Sequence, residues 1–287
     1  MIDEIRTFLT RHLPGYEVRS VAKLGEGLDN VAYEVNAELI VRASKEAVPD
    51  RRNESIRREV DMLAAVNKLS PLPVPEPIFA DAEAGVLAYF KIPGVPLLDH
   101  AVTNPARLAS DLGGFLGCLH RAPVQEMEKL VRRDADPLTT WREEAERDYW
   151  EIAEHLPMAA RRLVENFLGR VPPAEKRVVA FCHNDLGAEH VLVDVGGNTV
   201  TGIIDWTDAA IADPACDLAL IYRDLGPEVF DLTLTHYAGL FDEADRERAV
   251  FYARCSLLED VVYGLSTPDA HHLYAEAGLA RLARTFA

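Results

Sequence analysis

The sequence predicts an α+β chain of two lobes. The first is small and β-rich with one main helix, and the second is larger and mostly helical with a β-hairpin set into it. Three observations carry this. The chain has 287 residues, enough for roughly two units of about 150. Strand-like runs between positions 18 and 91 surround a single helical pattern. Beyond Pro93-Gly94 the helical spacing dominates, except for one apolar island at 178–204. The expected division is therefore 1–94 and 95–287, with a connecting segment at about 88–94.

The elements follow in order. Strands are expected at 18–24, 31–35 and 39–43, the last two joined by a turn at Asn36-Ala37, because branched and aromatic residues alternate there between turn formers. Positions 53–69 read as a helix, with Ile56, Val60, Leu63 and Val66 at spacings of three and four. Ser70–Pro77 holds four prolines in eight residues, which demands an extended connector. Short strands are expected at 78–80 and 86–91. Helices are expected at 107–120, 141–155 and 159–168. The apolar runs 178–182, 191–194 and 200–204 form the island, with Gly196-Gly197-Asn198 turning the last two into a hairpin. From Pro214 onward the pattern returns to helices.

Composition narrows the function. Hydrophobic residues make up 48% and charged residues 27%, which excludes a disordered chain. No apolar run reaches about 18 residues, so no membrane partner is expected. The first fifteen residues lack a long apolar core and do not read as a secretory signal. The four cysteines, Cys118, Cys182, Cys216 and Cys255, form no metal-ligand spacing, which suits a reducing, cytoplasmic setting. Nothing indicates self-association, and a monomer is expected. The net charge of −17 argues against a nucleic-acid partner, which would have to neutralise phosphates. The charge is also unevenly placed: −3 in residues 1–94 and −14 in 95–287. That field either serves solubility or attracts a cationic ligand.

Three segments carry chemistry. The strongest is Phe181–His190, which places Asp185 and His190 in a loop between two apolar runs, while Ile203-Ile204-Asp205-Trp206 puts a second carboxylate at the end of the hairpin. An acid, a second ligand and another acid in this order match the phosphoryl-transfer apparatus of kinases. There a loop Asp accepts the proton of the acceptor hydroxyl, and a later loop residue and the hairpin Asp hold Mg²⁺. His183, two residues before Asp185, is expected to brace the loop. In the second segment, Gly25 and Gly27 lie between two strands, where their backbone N–H groups can approach phosphates or simply make a turn. In the third, Arg42 on the third strand and Glu59 on the following helix can form a phosphate clamp or a surface ion pair. Lys45 competes with Arg42 for that role. His120 reads as a packing or capping group, and Trp206 as packing. Glu259 and Asp260, on a late helix with an apolar opposite face, are either solvated or turned to the cleft to hold ammonium groups.

The runs GEGLDNVAYEVN, HNDLGAEH, GIIDWTDAAIADPACDLA and IYRDLG resemble the aminoglycoside phosphotransferase family, most of all its 2''-phosphotransferase branch. The resemblance spans roughly residues 20 to 225. It implies a protein-kinase-like bilobal fold, ATP or GTP as phosphoryl donor, and Mg²⁺ for which Mn²⁺ can substitute. It also implies residue roles. Asp185 would be the catalytic base. His190 would replace the usual metal-binding Asn, and Asp205 would be the main metal ligand. Arg42 stands where the family normally has Lys, opposite Glu59. The backbone of Ala88, Tyr89, Phe90, Lys91 and Ile92 would meet the purine. Asp217 would hydrogen-bond the catalytic loop. The expected function is an antibiotic kinase that phosphorylates a cationic aminoglycoside, at the 2'' hydroxyl by preference, and so confers resistance. The alternatives are a macrolide kinase, which shares the loop His, and a kinase of a small amino alcohol or sugar. The pair Asp185/Asp205 argues against a nucleotide sensor without turnover.

Overall fold

The computed structural model describes residues 2–27, 29–175, 178–196, 198–266 and 268–287. No element is expected ahead of position 18, yet helix α1 (Ile2–His12) forms there. Its Ile5 and Leu9, four residues apart, are buried against Val35, Leu39 and Val41. Acidic Asp3 and Glu4 in its first turn and basic Arg11 and His12 in its last complement the helix dipole.

The N-terminal sheet has the order β1-β2-β3-β5-β4. Strands β1 (Val21–Glu26), β2 (Asn30–Val35) and β3 (Leu39–Ser44) form an antiparallel meander. Strand β1 starts three residues later than expected and runs through Gly25. Asn36 and Ala37 both have positive φ, 54° and 59°, the combination a tight hairpin turn requires. The Asn36 Oδ1 also accepts the N–H groups of Arg19 and Ser20 at 2.8 and 3.0 Å, which favours Asn at the first position. Helix α2 (Pro49–Leu69) starts four residues early, with Pro at its first turn. The proline-rich segment follows as an extended connector, and β4 (Pro77–Asp81) and β5 (Val86–Phe90) complete the sheet.

Past Pro93-Gly94 the chain enters β6 (Val95–Pro96), which pairs with β9 rather than with the N-terminal sheet. Gly94 has φ +126°, and a Cβ there would strike the Thr201 hydroxyl, so only glycine fits this crossing. Then come α3 (Pro105–Leu119), α4 (Val124–Met127), β7 (Arg132–Arg133), α5 (Leu138–Ile152) and α6 (Met158–Leu168). They are followed by β8 (Ala180–Cys182), β9 (Val191–Val193), β10 (Val200–Ile203) and β11 (Ala210–Ala212). Helices α7 (Ala215–His236), α8 (Glu243–Ser266) and α9 (Pro268–Phe286) close the fold. Helix α7 is broken at Gly226-Pro227, where Gly226 takes φ +86°.

One expectation needs correction. The single β island is two three-stranded sheets, β10-β9-β6 and β7-β11-β8. β9 and β10 do form the hairpin, though Gly197 of its turn lies outside the described residues. β8 pairs instead with β11. The loop bearing Asp185 and His190 therefore starts in one sheet and ends in the other. The main core runs through the helical part and takes in Ile56, Met62, Leu63 and Val66 of α2 and Leu87 of β5. Those apolar side chains key the first sheet and helix onto the rest. Among the described residues no helix is long and apolar enough to cross a membrane.

Candidate active site

The loop from His183 to His190 is held from below by one carboxylate. Asp217, at the start of α7 and fully buried, accepts the His183 N–H at 2.9 Å and the Asn184 N–H at 2.7 Å. The His120 Nε2 lies 3.0 Å from the same carboxylate, and its Nδ1 lies 2.9 Å from the Tyr237 hydroxyl. His120 thus does more than end α3. Its Nε2–H donates to Asp217, and its Nδ1 is hydrogen-bonded with the Tyr237 hydroxyl. Burial alone would raise Asp217, but its hydrogen bond to His120 and the nearby imidazoles more than offset this and hold it below the usual carboxylate range. Asn184 takes a left-handed φ of 68°. Its side-chain amide donates to Asp134 at 2.9 Å.

His183 ties the two sheets together. Its Nε2 lies 3.0 Å from the Ile204 carbonyl oxygen, its Nδ1 accepts the Asp185 N–H at 3.3 Å, and its ring packs 4.6 Å from Trp206. Burial lowers its pKa to about 4, so it is a neutral brace.

Asp185, His190 and Asp205 converge on the cleft floor. The His190 Nδ1 donates to the Asp185 carbonyl oxygen at 2.8 Å. That bond leaves Nε2 facing Asp205, whose Oδ2 is 3.7 Å away. The Asp185 carboxylate lies 3.4 Å from His190 Nδ1. Burial pushes Asp185 up to about 7, with Glu189 and Asp208 adding and His190 opposing. Asp205 occupies a left-handed backbone conformation, φ 58°. Burial would raise it, but the opposing charges of Arg42 and His190 hold it below the usual range.

Arg42 faces this group from the other sheet. It is ion-paired with Glu59, donates to the Thr207 hydroxyl at 2.7 Å and lies 3.6 Å from Asp205. Thr207 in turn donates to Asp205 at 3.0 Å. Arg42 rather than Lys45 is the cation placed beside Glu59 and Asp205. Lys45 pairs with Glu26 at 2.9 Å and donates to the Gly27 carbonyl oxygen at 3.1 Å. Gly25 and Gly27 line the cleft, and a Cβ at either would meet nothing within 4 Å. Their missing side chains thus leave open space above the carboxylates.

The cleft has a volume of about 920 Å³. From α5, α8 and α9 the cleft is lined by Trp141, Tyr252, Tyr263 and Tyr274 with Glu259 and Asp260. Glu259 is exposed there. Asp260 lines the cleft as well, and its carboxylate pairs with Arg223 at 2.9 Å; burial pushes its pKa well up, with Arg223 opposing.

Residues 88–92 run beside this cleft: the charges of Arg42, Asp205 and Glu59 act on the Tyr89 hydroxyl. Ala88 and Tyr89 are buried within β5, which pairs on both sides. The Phe90 ring is 62% exposed. The Lys91 N–H donates to the Glu38 carbonyl oxygen at 2.8 Å and its ammonium pairs with Glu34. Ile92 packs against Gly202, where a Cβ would strike it.

Sequence reasoning missed Thr207, Glu189, Asp208 and Arg223, all of which line the cleft. Thr207 and Asp208 had one signal, adjacency to Asp205. Arg223 had the IYRDLG run, to which no residue role was attached.

The donor set, an imidazole nitrogen and a carboxylate oxygen, suits a divalent ion. The 3.7 Å between His190 Nε2 and Asp205 Oδ2 lies between the roughly 3 Å of cis and about 4.2 Å of trans octahedral ligands, so holding Mg²⁺ requires the two side chains to shift by a fraction of an ångström. The Nδ1–H bond to a backbone carbonyl is the arrangement that orients a metal-binding imidazole.

A model described as the phosphotransferase enzyme family matches residues 20–252. Viomycin phosphotransferase of Streptomyces vinaceus is 26% identical over 284 residues, covering 95% of this chain and 96% of that protein. Among solved structures, the GDP complex of aminoglycoside 2'-phosphotransferase-IIIa superposes with a TM-score of 0.73 at 20% identity, covering 99% and 97% of the two chains. The apoenzyme of a macrolide 2'-phosphotransferase from Brachybacterium faecium gives 0.66 at 22%, covering 98% of each. At these identities the structural likeness is one of fold, and the fold is the kinase-like one expected.

Proposed function

Because the chain belongs to the phosphotransferase enzyme family, we propose that it transfers the γ-phosphate of ATP or GTP to a hydroxyl of a cationic aminoglycoside, the 2'' position being the first choice, and thereby confers resistance. The observation that carries this is the convergence of Asp185, His190 and Asp205 beneath Gly25 and Gly27, with Arg42 opposite.

The roles follow from the geometry. Phosphates enter under the glycine strand, where the backbone can approach them. The Arg42 guanidinium, aligned by Glu59 and Thr207, adds positive charge. Mg²⁺, when bound by His190 and Asp205, supplies further charge neutralisation. Asp185 accepts a hydrogen bond from the acceptor hydroxyl and aims its oxygen at the γ-phosphorus. As the new O–P bond forms, the bond to the β–γ bridging oxygen breaks, and the hydroxyl proton passes to an Asp185 oxygen. Most of the acceleration comes from positioning and charge. The acceptor lies at the end of the cleft formed by α5, α8 and α9, where Glu259 meets its ammonium groups.

The four aromatic side chains at that end favour a second reading, a macrolide acceptor with one amine and much apolar surface. Salt separates the two. A polycation held by screened carboxylates should show an acceptor KM that rises steeply with NaCl while kcat changes little. The test is a labelled-nucleotide assay on aminoglycoside and macrolide acceptors, titrated with NaCl, for the wild type and Glu259→Gln. The variant should flatten the salt dependence. A salt-independent aminoglycoside KM, or a higher macrolide kcat/KM, would overturn the first reading in favour of the second.

A further inference from the structure

The strongest feature left unused lies between the acceptor wall and the catalytic loop. Arg223 on α7 is almost fully buried yet reaches the cleft. Its Nε and Nη2 donate to the two oxygens of Asp224 at 2.7 and 3.0 Å. Its Nη1 lies 2.9 Å from Asp260 Oδ2. Asp224 uses the same carboxylate to accept the N–H of Ala188 at 2.7 Å, and Ala188 stands midway between Asp185 and His190. From α9, Arg281 Nη1 donates to Asp224 at 2.7 Å, and Arg284 donates to the carbonyl oxygens of Arg223 and Asp224.

We propose that Arg223 is a positioning residue for the phosphoryl transfer, and that Asp260 serves it as a counter-ion rather than binding the acceptor. The guanidinium is a fork that grips Asp224 with two donors and Asp260 with a third. It thereby fixes the carboxylate that holds Ala188, and so the spacing of the base and the metal-ligating histidine. An incoming ammonium would have to pull Asp260 off Arg223 and leave a buried guanidinium partly unmatched, which is costly. Glu259, exposed on the same wall, has no ion pair among the described residues and is the binding carboxylate.

The inference rests on the phosphotransferase reading, but one of its measurements needs no acceptor. Arg223→Lys keeps the charge and loses the fork, because one ammonium cannot grip Asp224 twice and also reach Asp260. Hydrogen–deuterium exchange of the peptide containing Ala188 should accelerate by about tenfold or more in Arg223→Lys, as expected for loss of a charge-assisted anchor. It should stay unchanged in Glu259→Gln. In turnover, Arg223→Lys should lower kcat by roughly tenfold to a hundredfold with acceptor KM nearly constant, whereas Glu259→Gln should raise KM. Asp260→Asn should leave KM and its salt dependence as in the wild type. Unchanged Ala188 exchange in Arg223→Lys would refute the positioning role. A raised, salt-insensitive KM in Asp260→Asn would restore Asp260 as an acceptor ligand. A wild type without phosphotransfer to any acceptor would instead sink the underlying reading and leave the exchange result standing.

Discussion

Replacing Asp217 by Asn probes how the catalytic loop is held. The carboxylate takes three hydrogen bonds in a site closed to solvent: from the His183 N–H and His120 on one oxygen, and from the Asn184 N–H on the other. An amide keeps one acceptor oxygen. Set in place of Oδ2, it still serves His183 and His120, but its NH₂ then faces the Asn184 N–H, donor against donor. One charge-assisted bond is lost, about 1.5–3 kcal/mol, and a buried N–H is left unsatisfied. A net loss of about 3 kcal/mol lowers Tm by roughly 6–12 °C for a chain of this size. Because Asn184 is held in a left-handed conformation, its release also displaces the neighbouring Asp185, and kcat falls. The pH dependence has a definite sign. Asp217 is depressed in the folded state, so its contribution is present above the unfolded carboxylate value of about 3.9 and fades as pH falls through the folded value. The gap between wild type and variant is therefore full near neutrality and narrows below about pH 4. Denaturant unfolding at several pH values, with steady-state kinetics, measures both. A stability loss below about 1 kcal/mol, with a wild-type kcat, would refute this account of the loop.

Two further outcomes are expected. Asp185→Asn should lower turnover by about a hundredfold or more with nucleotide affinity nearly intact; near-normal turnover in the folded variant would remove Asp185 as the base. Asp205→Ala should lose metal-dependent nucleotide affinity, while His190→Asn, which offers the oxygen Mg²⁺ prefers, should keep Mg²⁺ activity, and the wild type should work well with Mn²⁺. An inactive but folded His190→Asn, or a metal-bound structure with the imidazole far from the ion, would contradict this.

Much of the fold is legible where the signal is local. The Asn36-Ala37 turn, the spacing along α2, the proline connector and the β9–β10 hairpin all rest on residues close in sequence. What escapes is what depends on distant partners. Strand β11, Ala-Ile-Ala, has no strand signature of its own and exists because β8 and β7 flank it. Strands β6 and β7 have two residues each. Helix α1 gains its stability from two side chains seated on the sheet. The same holds at the site. Asp185, His190 and Asp205 stand in short recognisable runs. The ion pair of Arg223 with Asp260 joins residues 37 positions apart on different helices, and Asp260 alone looks like a free surface carboxylate.

The loop that starts in one small sheet and ends in the other makes the active centre a joint between two separately anchored bodies. His190 and Asp205 belong to the β9–β10 hairpin, whereas Asp185 leaves the β8–β11 pair and is steered by α7. Among the described residues the contacts across the seam include the His183 link to Ile204, the His190 link to the Asp185 carbonyl oxygen and the packing of Phe181 on Trp206. Local opening can then part the base from the ion-binding pair while each sheet stays folded. The enzyme would fail in stages on warming. Catalysis would stop first, in a molecule still able to take up its nucleotide, with global melting only later.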